Sequence, residues 1–148
     1  MDAIDLHVHS TFSDGTLTPS ELISRAKQFH LAAMALTDHD TIEGIPEAVQ
    51  AASEQNLALF PGVELSTFWD EKEIHIVGLF IDYTDKTFQK ELESLRDVRR
   101  NRNIAMCEKF TQLGIPIDYS DMEKEYADAV ITRAHFADYL LKKGYIKS

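Results

Sequence analysis

The sequence predicts an α/β fold in which the first strands and helices of a parallel βα array are followed by an α-helical subdomain. Three observations carry this reading. Between residues 1 and 85, apolar segments of strand length alternate with amphipathic segments of helical period. Histidines and carboxylates recur where the apolar segments end. From residue 86 to 148 only helical periodicity remains. The expected units are therefore residues 1–85, carrying the polar motifs, and residues 86–148, a helical insert or lid.

Residues 3–8 form a short apolar strand that runs into His7-Val8-His9. A polar loop follows at 10–17. Thr18-Pro19-Ser20-Glu21 is a helix start, with a capping hydroxyl, a first-turn proline and a capping-box glutamate. That helix runs to about Phe29 and places Leu22, Ile23, Ala26 and Phe29 on one face. Residues 32–36 are a second strand, ending at Thr37-Asp38-His39-Asp40, and residues 45–55 a second helix. A third strand begins at Ala58 and ends near Pro61-Gly62-Val63-Glu64. A fourth covers 73–81, and all four are expected to be parallel. Residues 82–86 are a turn-rich join. The pattern then predicts a long helix over 87–113, stopped by Gly114-Ile115-Pro116. A short helix over 120–126 is capped by Ser120, and a last one over 132–143 is stopped by Gly144.

Charge is divided unevenly. The chain of 148 residues carries a formal −10. Residues 1–85 hold 15 acids against 3 bases, whereas residues 86–148 hold 10 acids against 12 bases. Five of the six histidines lie in the acidic part, which points to cation binding there; the later arginines point to an anion. An acidic chain does not suit a long nucleic-acid duplex, which needs many phosphates neutralised by Lys and Arg. No apolar run is long enough for a membrane helix, the N-terminus lacks the features of a signal peptide, and the lone Cys107 excludes an internal disulfide. A cytoplasmic location is the expectation.

Parallel βα arrays gather their active sites at the carboxyl ends of the strands. His7 and His9 share one strand face, because side chains alternate. Asp14, Asp38, His39, Asp40, Glu64 and His75 offer further ligands at neighbouring strand ends. Imidazole with carboxylate suits zinc, manganese or iron, and a carboxylate such as Glu64 can bridge two ions. Paired ions polarise a phosphoryl oxygen and supply hydroxide at neutral pH. For Asp40, capping of the next helix is the competing role. His75 alone would read as a core histidine, and His30, at a helix end, as a surface one.

The segments D-L-H-V-H-S-T-F-S-D-G-T at 5–16, L-T-D-H-D-T at 36–41, P-G-V-E-L-S at 61–66 and H-I-V-G-L-F at 75–80 resemble, in order and spacing, the first four metal motifs of the PHP (polymerase and histidinol phosphatase) family. The likeness is strongest to its small stand-alone metal-dependent phosphoesterases, which act on nucleotides or RNA 5′ ends. It implies part of a distorted (β/α)7 barrel and two or three divalent metal ions. It also implies His7, His9, Asp14, His39, Glu64 and His75 as ligands, with Asp14, His39 and Glu64 central to catalysis. Family members usually continue further, with another histidine motif and a closing Asp-x-His pair that this sequence lacks. A C-terminal segment, or a second protomer, is therefore expected to complete the barrel.

The apolar stripe of the long helix passes through Arg99 and Arg102, so both arginines should face inward, toward an internal carboxylate or a substrate phosphate. The competing arrangement puts Val98 and Ala105 on the stripe. By resemblance to the family's helical insert, Arg99, Arg102, Arg133 and His135 are expected to contact the substrate. Two alternatives to a phosphoesterase stand: a non-catalytic metal-binding module, and a C–N hydrolase of the amidohydrolase type. The latter needs a bridging lysine where this chain has Glu64.

Overall fold

The computed structural model describes residues 3–147. One curled sheet of four strands runs in the order β1 (Ala3–Val8), β2 (Leu31–Leu36), β3 (Ala58–Trp69), β4 (Lys72–Leu79). Helices α1 (Pro19–Gln28) and α2 (Ile45–Gln55) connect the first three strands, which are mutually parallel. The fold class is the expected one.

The fourth strand departs from expectation, because it runs antiparallel to β3. β3 continues past Glu64 to Trp69 and turns back through Asp70 and Glu71, both at positive φ. Two central residues at positive φ are what a tight hairpin requires. The sequence hides this turn because it lacks the Asn-Gly or Asp-Gly pair that normally marks it. The hairpin register sets Ser66 opposite His75 and Phe68 opposite Glu73.

Helix ends follow local chemistry. Thr18 and Glu21 form the capping box of α1, with Thr18 N donating to Glu21 Oε2 at 2.8 Å. α3 (Lys86–Gln112) is capped by Asp85, whose carboxylate accepts from the backbone N–H groups of Thr87 and Phe88. α4 (Tyr119–Glu125) is capped by Asp118 and not by Ser120, since Asp118 accepts from the Ser120 N–H at 2.8 Å. α5 (Arg133–Lys142) is capped by Thr132, with His135 closing the box in the place usually taken by Glu or Gln.

α3 joins two cores. Leu92, with Phe88 and Leu95 against it, packs under the sheet with Leu36, Ile45 and Val63. Further along, Cys107 packs with Met122, Phe136 and Tyr139 in a separate helical cluster. Between these cores Arg99 turns inward. Its Nε and Nη2 donate to Asp40 Oδ2 at 3.0 and 2.5 Å, and Nη2 also reaches Ser66 Oγ. Val98 is 60% exposed, so the arginines, and not Val98 and Ala105, hold the inner stripe. Asp40 is thus no helix cap: α2 begins at Gly44 without a side-chain bond, and the Asp40 carboxylate serves Arg99 and the Ser66 N–H. Among the described residues, no helix is long and apolar enough to cross a membrane.

Removing one member of a buried ion pair leaves the other charged and unsolvated. Arg99→Ala is therefore expected to destabilise the chain by about 3–5 kcal/mol, measured by urea unfolding. A loss close to zero would show that the Asp40–Arg99 pair does not tie α3 to the sheet.

Candidate metal centre

The centre is built around Glu64. β3 lays its carboxylate among four imidazoles, brought from the ends of β1 and β2 and from β4. His7 Nε2 lies 2.8 Å from Glu64 Oε2, and His9 Nε2 lies 2.9 Å from the same oxygen. His39 Nδ1 is 3.6 Å from it, and His75 Nδ1 is 2.8 Å from Oε1. Asp14 closes the other side, 3.4 Å from His9 Nδ1 and 3.5 Å from His39 Nε2. Donor atoms of three sets lie within 4.8 Å of one another: His7, His9 and Glu64; His9, Asp14 and His39; His39, Glu64 and His75. The sets share His9, His39 and Glu64, so one compact cluster offers adjoining positions for cations.

The strand ends explain the convergence. Parallel strands β1, β2 and β3 present their carboxyl ends side by side, and an isolated bridge aligns His39 with Glu64. Asp40 N donates to Glu64 O, and Glu64 N to Asp38 O, so the two motif segments are locked in register. His75 joins by the hairpin.

The Asp14 loop has its own scaffold, which the sequence did not reveal. Asp38 is buried and, contrary to its expected place among the ligands, belongs to none of the three sets. Its carboxylate accepts from Ser10 N at 2.7 Å, from Ser10 Oγ at 2.6 Å and from Ser13 Oγ at 2.6 Å. The loop closes so tightly that a Cβ on Gly15 would fall 2.1 Å from the His9 carbonyl oxygen. No side chain is tolerated there. The repeat of Ser at 10 and 13 beside Asp14-Gly15 was the available signal.

Electrostatics prepare the cluster for cations. Burial, then the neighbouring His39, lowers the His9 pKa, so its ring is a neutral ligand at pH 7. Burial works against ionisation of Asp14 and Glu64, yet both stay below the usual carboxylate range. For Asp14 the hydrogen bond and charge of His39 outweigh burial; for Glu64 the contacts to His7, His39 and His75 do. His39 Nδ1 is buried without a hydrogen-bond partner. An orphaned imidazole nitrogen costs free energy unless something else satisfies it. Together with the mixed nitrogen and oxygen donor set, it fits a divalent transition-metal ion.

The other sequence-predicted residues divide. Arg102 Nη1 donates to Glu73 Oε1 at 3.2 Å, and Arg133 Nη1 donates to Glu73 Oε2. Glu73 also lies 3.4 Å from His75 Nε2, so this carboxylate links the metal cluster to both arginines. It sits two residues before His75 on a strand and so shares its face, a relation the sequence reading passed over. Arg102 spends Nε and Nη2 on Asn103 Oδ1, and Arg99 is consumed by Asp40 and Ser66. Burial, then the charges of Arg99 and Arg133, pushes the Arg102 pKa down. His135 stands outside the cluster: its Nδ1 accepts from Thr132 N at 2.9 Å, and its ring meets Tyr126 edge-on. His30 is exposed, as expected.

Asp38→Asn replaces an acceptor oxygen by an amide that faces hydroxyl and N–H donors. The expected cost is about 1–3 kcal/mol in urea unfolding, together with weaker zinc retention on dialysis, because the Asp14 loop loses its anchor. Unchanged zinc retention would separate Asp38 from the metal centre.

Comparison with known proteins agrees with this geometry. A family model described as the PHP domain matches residues 5–143. The 5′-3′ exoribonuclease of Haemophilus influenzae is 45% identical over 144 residues, covering 97% of this chain and 52% of that protein. The 3′,5′-nucleoside bisphosphate phosphatase of Chromobacterium violaceum is 40% identical over 149 residues, covering 99% and 52%. A solved structure of an amidohydrolase from Chromobacterium violaceum, with bound sulfate and no metal, superposes with a TM-score of 0.89 at 39% identity, covering 98% of this chain and 51% of that one. A Bifidobacterium adolescentis protein assigned as a metal-dependent phosphoesterase gives 0.88 at 30% identity, again covering 98% and 51%. The chain spans about half the length of the relatives it matches. With its motifs placed around one cluster and the family model spanning residues 5–143, the chain belongs to the PHP domain family.

Proposed function

We propose that this chain carries the metal centre of a phosphoesterase that hydrolyses phosphate esters of small nucleotides or RNA 5′ ends. The observation that carries the proposal is the convergence of four imidazoles and two carboxylates in one cluster around Glu64, with His39 Nδ1 left buried and without a hydrogen-bond partner. Divalent ions bound there would polarise the phosphoryl oxygen and make water a nucleophile at neutral pH. Zinc, manganese and iron all suit the donors, and the three overlapping ligand sets support two or three ions. His7, His9, Asp14, His39, Glu64 and His75 are the proposed ligands, of which Asp14, His39 and Glu64 hold the middle of the cluster.

The chain's own residues do the rest. The arginines of α3 and α5 give the mouth of the site a positive field, which favours a phosphate and the charge that develops on it. They differ in freedom. Arg133 is 60% exposed at its side chain and spends one nitrogen on Glu73, so it has donors to offer a phosphate. Arg99 and Arg102 hold the lid to the sheet and contribute through their charge. His135 fixes the start of α5, which sets where Arg133 points. No serine or cysteine nucleophile is required, and Cys107 is buried in the helical core with its thiol pKa pushed up to about 11, chiefly by burial. A metal-bridging lysine is not needed either, since Glu64 occupies the centre, which disfavours C–N hydrolysis of the amidohydrolase type. A C-terminal continuation or a second protomer would complete the barrel beside the open strands, and a cytoplasmic setting suits such substrates.

Metal content by elemental analysis, with phosphate release from an aryl phosphate on the same sample, tests this reading. The expected result is two or more ions per chain and turnover, both lost after chelation and sharply reduced in His9→Ala. Full activity after chelation would overturn it. Bound metal without turnover, even when the remaining half of the barrel is supplied, would leave a non-catalytic metal-binding module.

A further inference from the structure

β3 and β4 present one continuous face from the metal cluster outward. Side chains two residues apart share a strand face, and directly paired residues of a hairpin share it too. Glu64, Ser66 and Phe68 of β3 therefore lie on the face of His75 and Glu73 of β4, with Ser66 opposite His75 and Phe68 opposite Glu73. Four residues of strand separate Glu64 from Phe68, roughly 13 Å at the usual rise, comparable to the reach of one nucleotide.

At the far end of this face the sheet and α3 do not close on each other. A cleft of about 330 Å³ opens there, lined by Asp40, Ser66, Phe68, Leu95, Val98, Arg99 and Arg102. Its floor is apolar, yet Phe68 is 58% and Val98 60% exposed. Its inner rim is cationic: Arg102 lines the cleft and also reaches Glu73, which it shares with Arg133. Three arginines there face two carboxylates, Asp40 and Glu73, which leaves a surplus positive charge between metal cluster and cleft. A purely apolar ligand would not need that rim. A flat aromatic group tethered to a phosphate would use both parts, stacking on Phe68 while its phosphate reaches the arginines and the metal cluster.

We propose that Phe68, with Leu95 and Val98 across the cleft, forms a nucleobase subsite for the substrate. This rests on the phosphoesterase reading above and adds to it a determinant of substrate class: the site takes nucleotides in preference to phosphate esters without a base. Phe68 is the stacking platform, and the α3 side chains form the opposite wall. Since every base has a π-face, the subsite discriminates between base and no base far more than among bases.

The test is calorimetric binding of AMP and of ribose 5-phosphate to the full chain, wild type, Phe68→Ala and Phe68→Trp. The two ligands share sugar and phosphate and differ by the base. The expected result is tighter binding of AMP by the wild type and a fall of about tenfold in the AMP-to-ribose 5-phosphate affinity ratio in Phe68→Ala. Phe68→Trp should keep the ratio. Equal affinities in the wild type, or a ratio unmoved by Phe68→Ala, would overturn the subsite while leaving the phosphoesterase reading in place. Failure of the wild type to bind either ligand would overturn that reading, and the subsite with it. Phe68 is exposed, so neither substitution disturbs the core.

Discussion

A single buried carboxylate organises this molecule. Glu64 lies within 2.8–3.6 Å of four imidazole nitrogens, and those imidazoles arrive from segments up to 57 residues away in sequence. A charge so placed is expensive unless it is answered. The histidines answer it, and the answer fixes which strand ends must meet. Parallel β1, β2 and β3 deliver His7, His9, His39 and Glu64 from one edge of the sheet, and the hairpin folds His75 over them. The order of strands is thus coupled to the chemistry: a strand displaced by one position would remove a ligand from the cluster.

A second layer of carboxylates supports the first. Asp38 holds the loop that bears Asp14, Asp40 holds Arg99, and Glu73 holds Arg102 and Arg133 beside His75. None of the three takes part in a ligand set, but each one joins a ligand-bearing segment to something that must not move relative to it. The acidity of residues 1–85 acquires a physical meaning here. Part of it faces inward, spread between imidazoles, hydroxyls and guanidinium groups. The basic helices that follow in the chain then fit against it, and α3 spans the seam with one end in each core.

Much of this was legible in the sequence. The βα alternation, both early helices, the capping box at Thr18 and Glu21, and the placing of histidines and carboxylates at strand ends are local patterns, written in neighbouring residues. The convergence of His7, His9, His39 and Glu64 was legible because each lies at or just past the parallel part of its strand, whereas Asp14 lies in a loop and His75 within β4. What was not legible depends on contacts across the chain. The reversal of β4 turns on the backbone of Asp70 and Glu71, which carry no hairpin signature. Asp40 reads equally well as a helix cap until Arg99, 59 residues later, is seen against it. Glu73 drew no notice in the sequence, because its arginine partners lie on α3 and α5. The inward turn of Arg99 was anticipated from the helical stripe, with an internal carboxylate as one of two expected partners; that the carboxylate is Asp40 was not.

The central proposal is that, among the histidines, the four around Glu64 and neither His30 nor His135 hold the cations, beside the carboxylates of Asp14 and Glu64. Histidine side-chain nitrogen NMR during a zinc titration tests it most directly, since the ring nitrogens report ligation one by one and zinc is diamagnetic. The account predicts that His7, His9, His39 and His75 shift together with bound zinc, while His30 and His135 keep their metal-free positions. A ligation shift at His135, or the absence of one at His9 and His39, would contradict it.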